Sequence, residues 1–173
     1  MLFRSRNNAL AEALTQVDWL QANAGHNAML ENLNARVQIA LKQTQQARDI
    51  YTKALLTFPA NRGLIYGYTE LLLANKQTQT ALNLLVDKQN LYPNDAYFYT
   101  LSARAYSMQN KLLLQYQAQG EAYLRQYDVQ KATEQLALAV KANDGNFYEK
   151  SIVEARLKQL KQQLMNEKSR EKI

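Results

Sequence analysis

The chain of 173 residues contains no cysteine, a single histidine, two prolines and five glycines. Without cysteine there is neither a disulfide framework nor a thiolate metal site, and the redox character of the compartment cannot be read. His26 alone provides no histidine pair for zinc and no Cys-His dyad for nucleophilic catalysis. It sits among Asn23, Ala24, Gly25 and Asn27 and reads as a solvated loop residue. No glycine-rich phosphate loop or nucleotide fingerprint is present, and Glu70 and Glu121 stand alone, with nothing marking them as acids or bases. The chain is expected to have no catalytic residue and no metal or cofactor of its own. No segment approaches 18 uninterrupted apolar residues, so no membrane-spanning helix is expected. The opening MLFRSRNN runs into Glu12, Gln16 and Asp18, which break a signal-peptide core.

With so few prolines and glycines a strand-rich fold has little punctuation, whereas the abundant Ala, Leu, Gln and Lys are good helix formers. Net charge is +6. Half of that excess lies in residues 147–173, with seven Lys or Arg against four Glu. Lys158, Lys161, Lys168, Arg170 and Lys172 read as a solvated helix face, and no nucleic-acid partner is expected.

Order appears in the spacing. Pro59 and Pro93 are 34 residues apart, as are Ala47 and Ala81. This period resembles that of the tetratricopeptide repeat, in which each unit is a pair of antiparallel helices that cannot bury its apolar face alone and therefore stacks on its neighbours. Helices are expected to begin about every 17 residues, near positions 28, 45, 62, 79, 96, 113, 130 and 147, with weak breakers at each boundary. Asn94 and Asp95 are placed to cap a helix, as are Thr44 and Asp128. Ala47, Tyr51 and Ala54 fit the second helix of a repeat; Ala81 and Leu85 repeat the pattern. Gly120 and Tyr123, then Ala132, Leu136 and Ala139, match again, but Ala132 lies 51 residues after Ala81, a slip of half a repeat. An extra helix is therefore expected, with residues 96–110 as the candidate.

The predicted architecture is an all-α tetratricopeptide-repeat superhelix of helix hairpins with one half-repeat interruption. Residues 1–27 are expected to form an N-terminal helix and loop, with Leu10, Leu14, Val17, Trp19 and Leu20 on its apolar face. The repeat domain is assigned to 28–164. Its last helix carries Val153, Leu157, Leu160 and Leu164 and caps the stack, and residues 165–173 are expected to be a disordered tail.

In this register the first-helix positions that face the inner groove hold Asn32, Arg36, Tyr66, Glu70, Tyr97, Thr100 and Arg104. The slipped register adds Gln117, Glu121 and Arg125. Such a polar and aromatic lining suits an extended peptide or protein segment. Repeat domains that grip a C-terminal carboxylate need several converging Lys, Asn and Arg donors. Asn32, Arg36, Tyr66 and Glu70 do not supply that clamp. Most of the eleven tyrosines are expected to fill gaps between helices.

Residues 116–164 resemble the C-terminal end of periplasmic zinc metallopeptidases of the beta-barrel assembly-enhancing protease family. The resemblance is carried by Glu121-Ala122-Tyr123, Ala132, Phe147-Tyr148, Ser151 and Glu154-Ala155-Arg156-Leu157, with Gln126 or Tyr127 where the turn usually has glycine. It implies the non-catalytic interaction domain of a larger periplasmic enzyme. The zinc would lie in an HExxH domain absent from this chain. The implied partners are that peptidase domain and the outer-membrane protein assembly complex or its misfolded clients. The alternative is a free-standing repeat adaptor or scaffold in envelope assembly or secretion.

Overall fold

The computed structural model describes residues 2–170, with the side chains of 2–8, 167, 168 and 170 left aside. Helices α1 (Leu2–Ala24), α2 (Ala28–Ala40), α3 (Thr44–Thr57), α4 (Arg62–Ala74), α5 (Thr78–Leu91), α6 (Ala96–Met108), α7 (Leu112–Arg125), α8 (Val129–Lys141) and α9 (Phe147–Arg170) follow one another without a strand among the described residues. Each start from α2 onward falls within one residue of the position expected from the 17-residue spacing. Two compact units result, Met1–Asn75 and Lys76–Ile173.

Residues 1–27 thus belong to the first unit with α2 to α4. On α1, Val17 is buried and Leu14 and Leu20 are half-buried. Trp19, assigned to the same apolar face, is 63% exposed. It lies about 200° around the helix from Val17, on the opposite side. The core of this unit gathers Ala35, Ala47, Tyr51, Ala54, Leu64 and Leu71. The alanines let three helices approach closely, and the Tyr51 ring fills the remaining space, 5.9 Å from that of Tyr68.

In the second unit Leu113, Ala132, Leu136, Ala139, Val153, Leu157 and Leu160 form one cluster. Farther along, Phe98 is fully buried and stacks with Tyr92, ring centroids 6.0 Å apart. At the far end, α9 keeps helical form to Arg170, past Met165 where the apolar pattern stops. Residues 171–173, the end of the expected tail, lie outside the described residues.

Two kinds of turn alternate, and their order reveals the slip. The turn at 41–43 puts Lys42 in the left-handed region (φ 63°), with Gln43 N–H donating to Gln38 O and Lys42 N–H to Ile39 O. This is a Schellman closure. The same pair of bonds recurs around Asn110 (φ 57°) and again around Tyr127 (φ 62°). Proline-containing turns at 58–61 and 92–95 are different: they lead into helices capped by the side chains of Asn61 and Asp95. Two Schellman turns in succession mean that α7 closes a hairpin with α6 and opens another with α8, which is the half-repeat interruption. The sequence placed the extra helix at 96–110. The cap at Asp95 instead makes α6 an ordinary first helix, so the doubled role falls on α7.

Capping separates the helices further. Asn27, Asn61, Asp95 and Asp128 accept from backbone N–H groups of α2, α4, α6 and α8. Thr44, expected as a cap, is the first residue of α3, and the cap position holds Gln43 with no side-chain bond. Likewise Asp95 takes the role and Asn94 does not. The N-terminus of α7 is satisfied from afar, by Asp144 Oδ1 accepting from Leu113 N–H at 3.0 Å. Asn146 and Glu149 cap α9 reciprocally, at 2.9 and 2.8 Å.

Candidate functional site

Three predicted groove residues, Asn32, Arg36 and Glu70, lie around Tyr51 in the first unit. Glycine at 67 makes this possible: a Cβ there would collide with the Tyr51 hydroxyl and lie 2.9 Å from Asn32 Oδ1. With that space open, Tyr51 Oη reaches from the core of α3 and donates to Asn32 Oδ1 at 3.0 Å. Asn32 is half-buried on α2, while Arg36 one turn later and Glu70 on α4 are exposed. Burial pushes the Tyr51 hydroxyl up to about 12, Arg36 opposing and Glu70 adding to the shift. Those two charges therefore sit within electrostatic reach of the same hydroxyl. Tyr66, half-buried, stands one turn before Glu70. The result is a patch with opposite charges at its edges and an amide and a phenol at its floor. Asn32 engages through its carbonyl oxygen, so its NH2 group still offers hydrogen-bond donors to an incoming peptide.

In the second unit the predicted set divides. Tyr97 is 39% exposed and Arg104 is exposed, while Thr100 donates to Ala96 O of its own helix at 3.2 Å. Gln117 and Glu121 instead line a small cleft of about 170 Å³ between α5, α6 and α7, with Leu82, Tyr99, Ser102 and Tyr106. Tyr99, Ser102 and Tyr106 follow a different face of α6 from Tyr97 and Arg104. Buried Ser102 accepts from Gln89 Nε2 at 2.9 Å along this cleft.

Glu121 and Arg125 are already committed. The Arg125 guanidinium lies 3.5 Å from the centre of the Tyr99 ring and donates to Pro93 O, to Tyr99 Oη (2.7 Å) and to Glu121 Oε2 (2.7 Å). Arg156 of α9 meets Glu121 Oε1 at 3.0 Å. The expectation that these two line an open groove is therefore not how they are used: one carboxylate between two guanidiniums ties α7 to α9, and Arg125 fastens the 92–95 turn. Sequence reasoning missed Arg156, Tyr99 and Pro93 O as partners, because their separations of 35, 26 and 32 residues follow no helical spacing.

His26 lies in the loop between α1 and α2, mostly exposed, with Nδ1 against the Glu31 carboxylate. Asp128 and Lys131 pair at 2.7 Å, which holds the Asp128 carboxyl below its usual range and raises the ammonium of Lys131. No group of three His, Cys, Asp or Glu gathers among the described residues, and no described helix is long and apolar enough to cross a membrane.

Helix order, turn alternation and small-residue packing define a tetratricopeptide-repeat fold. Comparison with known proteins agrees: residues 38–105 match the tetratricopeptide-repeat family model. Two solved structures share the fold. "MamA 41-end from Desulfovibrio magneticus RS-1" is 19% identical with a TM-score of 0.61, over 91% of this chain and 89% of that one. "MamA RS-1 ArsTM double mutant" is 19% identical with a TM-score of 0.60, over 90% and 86%. No curated protein matches the chain.

Proposed function

We propose that this protein is a non-catalytic module that binds a polypeptide partner on the α2–α4 face, through Asn32, Arg36, Tyr66 and Glu70. The observation that carries the reading is the missing side chain at Gly67, whose place the Tyr51 hydroxyl takes, so that Asn32 meets it with its oxygen while its NH2 group stays available for main-chain bonds. An extended segment presents alternating C=O and N–H groups, and the flanking Arg36 and Glu70 would select charged side chains on it. Replacing Arg36 and Tyr66 together by alanine removes one charged edge and the half-buried ring of the patch. Partner capture from an extract should fall at least about tenfold while the variant stays folded by circular dichroism. Full retention of the partner by the folded variant moves the binding surface elsewhere.

Two finer readings share this activity. One is a free-standing adaptor in envelope assembly or secretion. The other is the interaction domain of a periplasmic zinc metallopeptidase of the beta-barrel assembly-enhancing family, acting on the outer-membrane assembly complex or its misfolded clients. The second is supported by Phe147 and Tyr148, which stand 88% and 73% exposed at the head of α9 within the stretch that carries the resemblance. Exposed aromatic rings are apt to be covered by another domain. An antibody to this chain distinguishes the two in source cells. A band near 19.9 kDa supports the adaptor; a much larger, chelator-sensitive periplasmic protease supports the peptidase.

A further inference from the structure

Helix α9 has 24 residues, while α8, on which it packs, has 13. Along one face of α9 runs an open cleft of about 590 Å³, with Val140 of α8, Leu157 and Met165 as its apolar lining and Glu154, Lys158 and Lys161 at its edges. From 154 to 165 this face is about 16 Å long, three helical turns. Met165 is 63% exposed, and neither lysine has an acidic partner among the described residues. The surrounding sequence is basic: residues 154–170 hold five Lys or Arg against two Glu. Arg156 is turned away to Glu121, and at the cleft itself the two lysines outnumber Glu154.

We infer that this cleft is a second docking site, separate from the α2–α4 face, and that its occupant is an acidic amphipathic helix of a partner protein. Leu157 and Met165, two turns apart on α9, with Val140 of α8 give a lining against which the i, i+3, i+4, i+7 anchors of a helix can lie, and Lys158 and Lys161 complement Asp or Glu beside those anchors. A nucleic acid would gain nothing from the apolar lining, and a bilayer surface would call for a broader apolar face than one helical stripe.

The test uses the full chain and two labelled 16-residue peptides with the same leucine stripe, one flanked by glutamates and its twin by lysines, followed by fluorescence anisotropy. The acidic peptide should bind about tenfold or more tighter than its twin and weaken with salt. Lys158→Glu with Lys161→Glu should reverse that preference, and Met165→Asp should remove binding of both. The Arg36→Ala, Tyr66→Ala variant should bind the acidic peptide as before, which separates this site from the one proposed above. Equal affinity for the twins overturns the proposal, as does acidic-peptide binding indifferent to the α9 variants. Capture of phosphatidylglycerol vesicles or duplex DNA by a protein that ignores the acidic peptide overturns it too.

Discussion

Around Tyr51 in the first unit, the polar groups of α2 and α4 converge on a floor held by one hydrogen bond from the core. Around Tyr99 in the second unit, Glu121 and Arg125 occupy comparable register positions, yet they bond to each other, to Arg156, to the tyrosine and to Pro93 O. Glycine shapes the first place: with no Cβ at Gly67, Asn32 and the Tyr51 hydroxyl have room to meet. The half-repeat interruption accounts for the second. Because α7 belongs to two hairpins, its side chains lie between neighbours on both sides, and a carboxylate there meets arginines of its own chain before it meets a ligand. Register alone therefore identifies candidates for binding, while the helix that plays two roles converts some of them into internal ties.

Breaking the tie at α7 should have the largest effect on stability. Glu121→Ala leaves Arg125 and Arg156 partly desolvated without their carboxylate, at a cost of about 3 kcal/mol. A urea titration should show it, and loss below 1 kcal/mol would mean that water serves the guanidiniums equally well. Adding a side chain at Gly67 comes next. Gly67→Ala should cost about 2 kcal/mol through overlap with the Tyr51 hydroxyl, and adding Tyr51→Phe should recover part of that loss, so the double-mutant cycle should show clear coupling.

The same hydroxyl provides a pH test of the comparison. Folded Tyr51 keeps its proton to about 12, whereas an unfolded tyrosine releases it near its ordinary value of 10. The stability linked to that proton is full below pH 10 and is lost as pH rises through about 12, a loss of up to about 3 kcal/mol. Unfolding midpoints measured from pH 8 to 12 should fall more steeply for the wild type than for Tyr51→Phe. Parallel curves would show that the hydroxyl is reached by water. The smallest effect is expected at the second Schellman turn. Tyr127 is 93% exposed in a left-handed conformation, so Tyr127→Gly should stabilise by about 1 kcal/mol and raise the melting temperature.

Helix starts were legible because period and breakers are local properties, and the alanines at 47, 54, 81, 132 and 139 are all buried as their spacing implied. Asn32, Arg36 and Glu70 lie near one another around Tyr51, as register within two successive first helices allows, and their use in binding is the proposal made above. Trp19 was misplaced because an aromatic residue beside an apolar stripe is assigned to it by composition, while helical geometry turns it to the other side. Gln117 was drawn toward the cleft with Tyr99 and Ser102 by the extra hairpin, which spacing detected but could not orient.

The sequence by itself determined the helical class, the 17-residue beat, the half-repeat slip and the small residues at the helix contacts, because each depends on neighbours a few positions or one repeat away. Only the tertiary structure decided that α7 carries the doubled role, that Asp144 caps α7 from beyond α8, and that Glu121 binds two arginines. Those contacts join residues 31, 4 and 35 positions apart. The long separations carry no periodic signal, and even the short one, Glu121 to Arg125, gains its partly buried setting from helices that only the folded chain brings alongside.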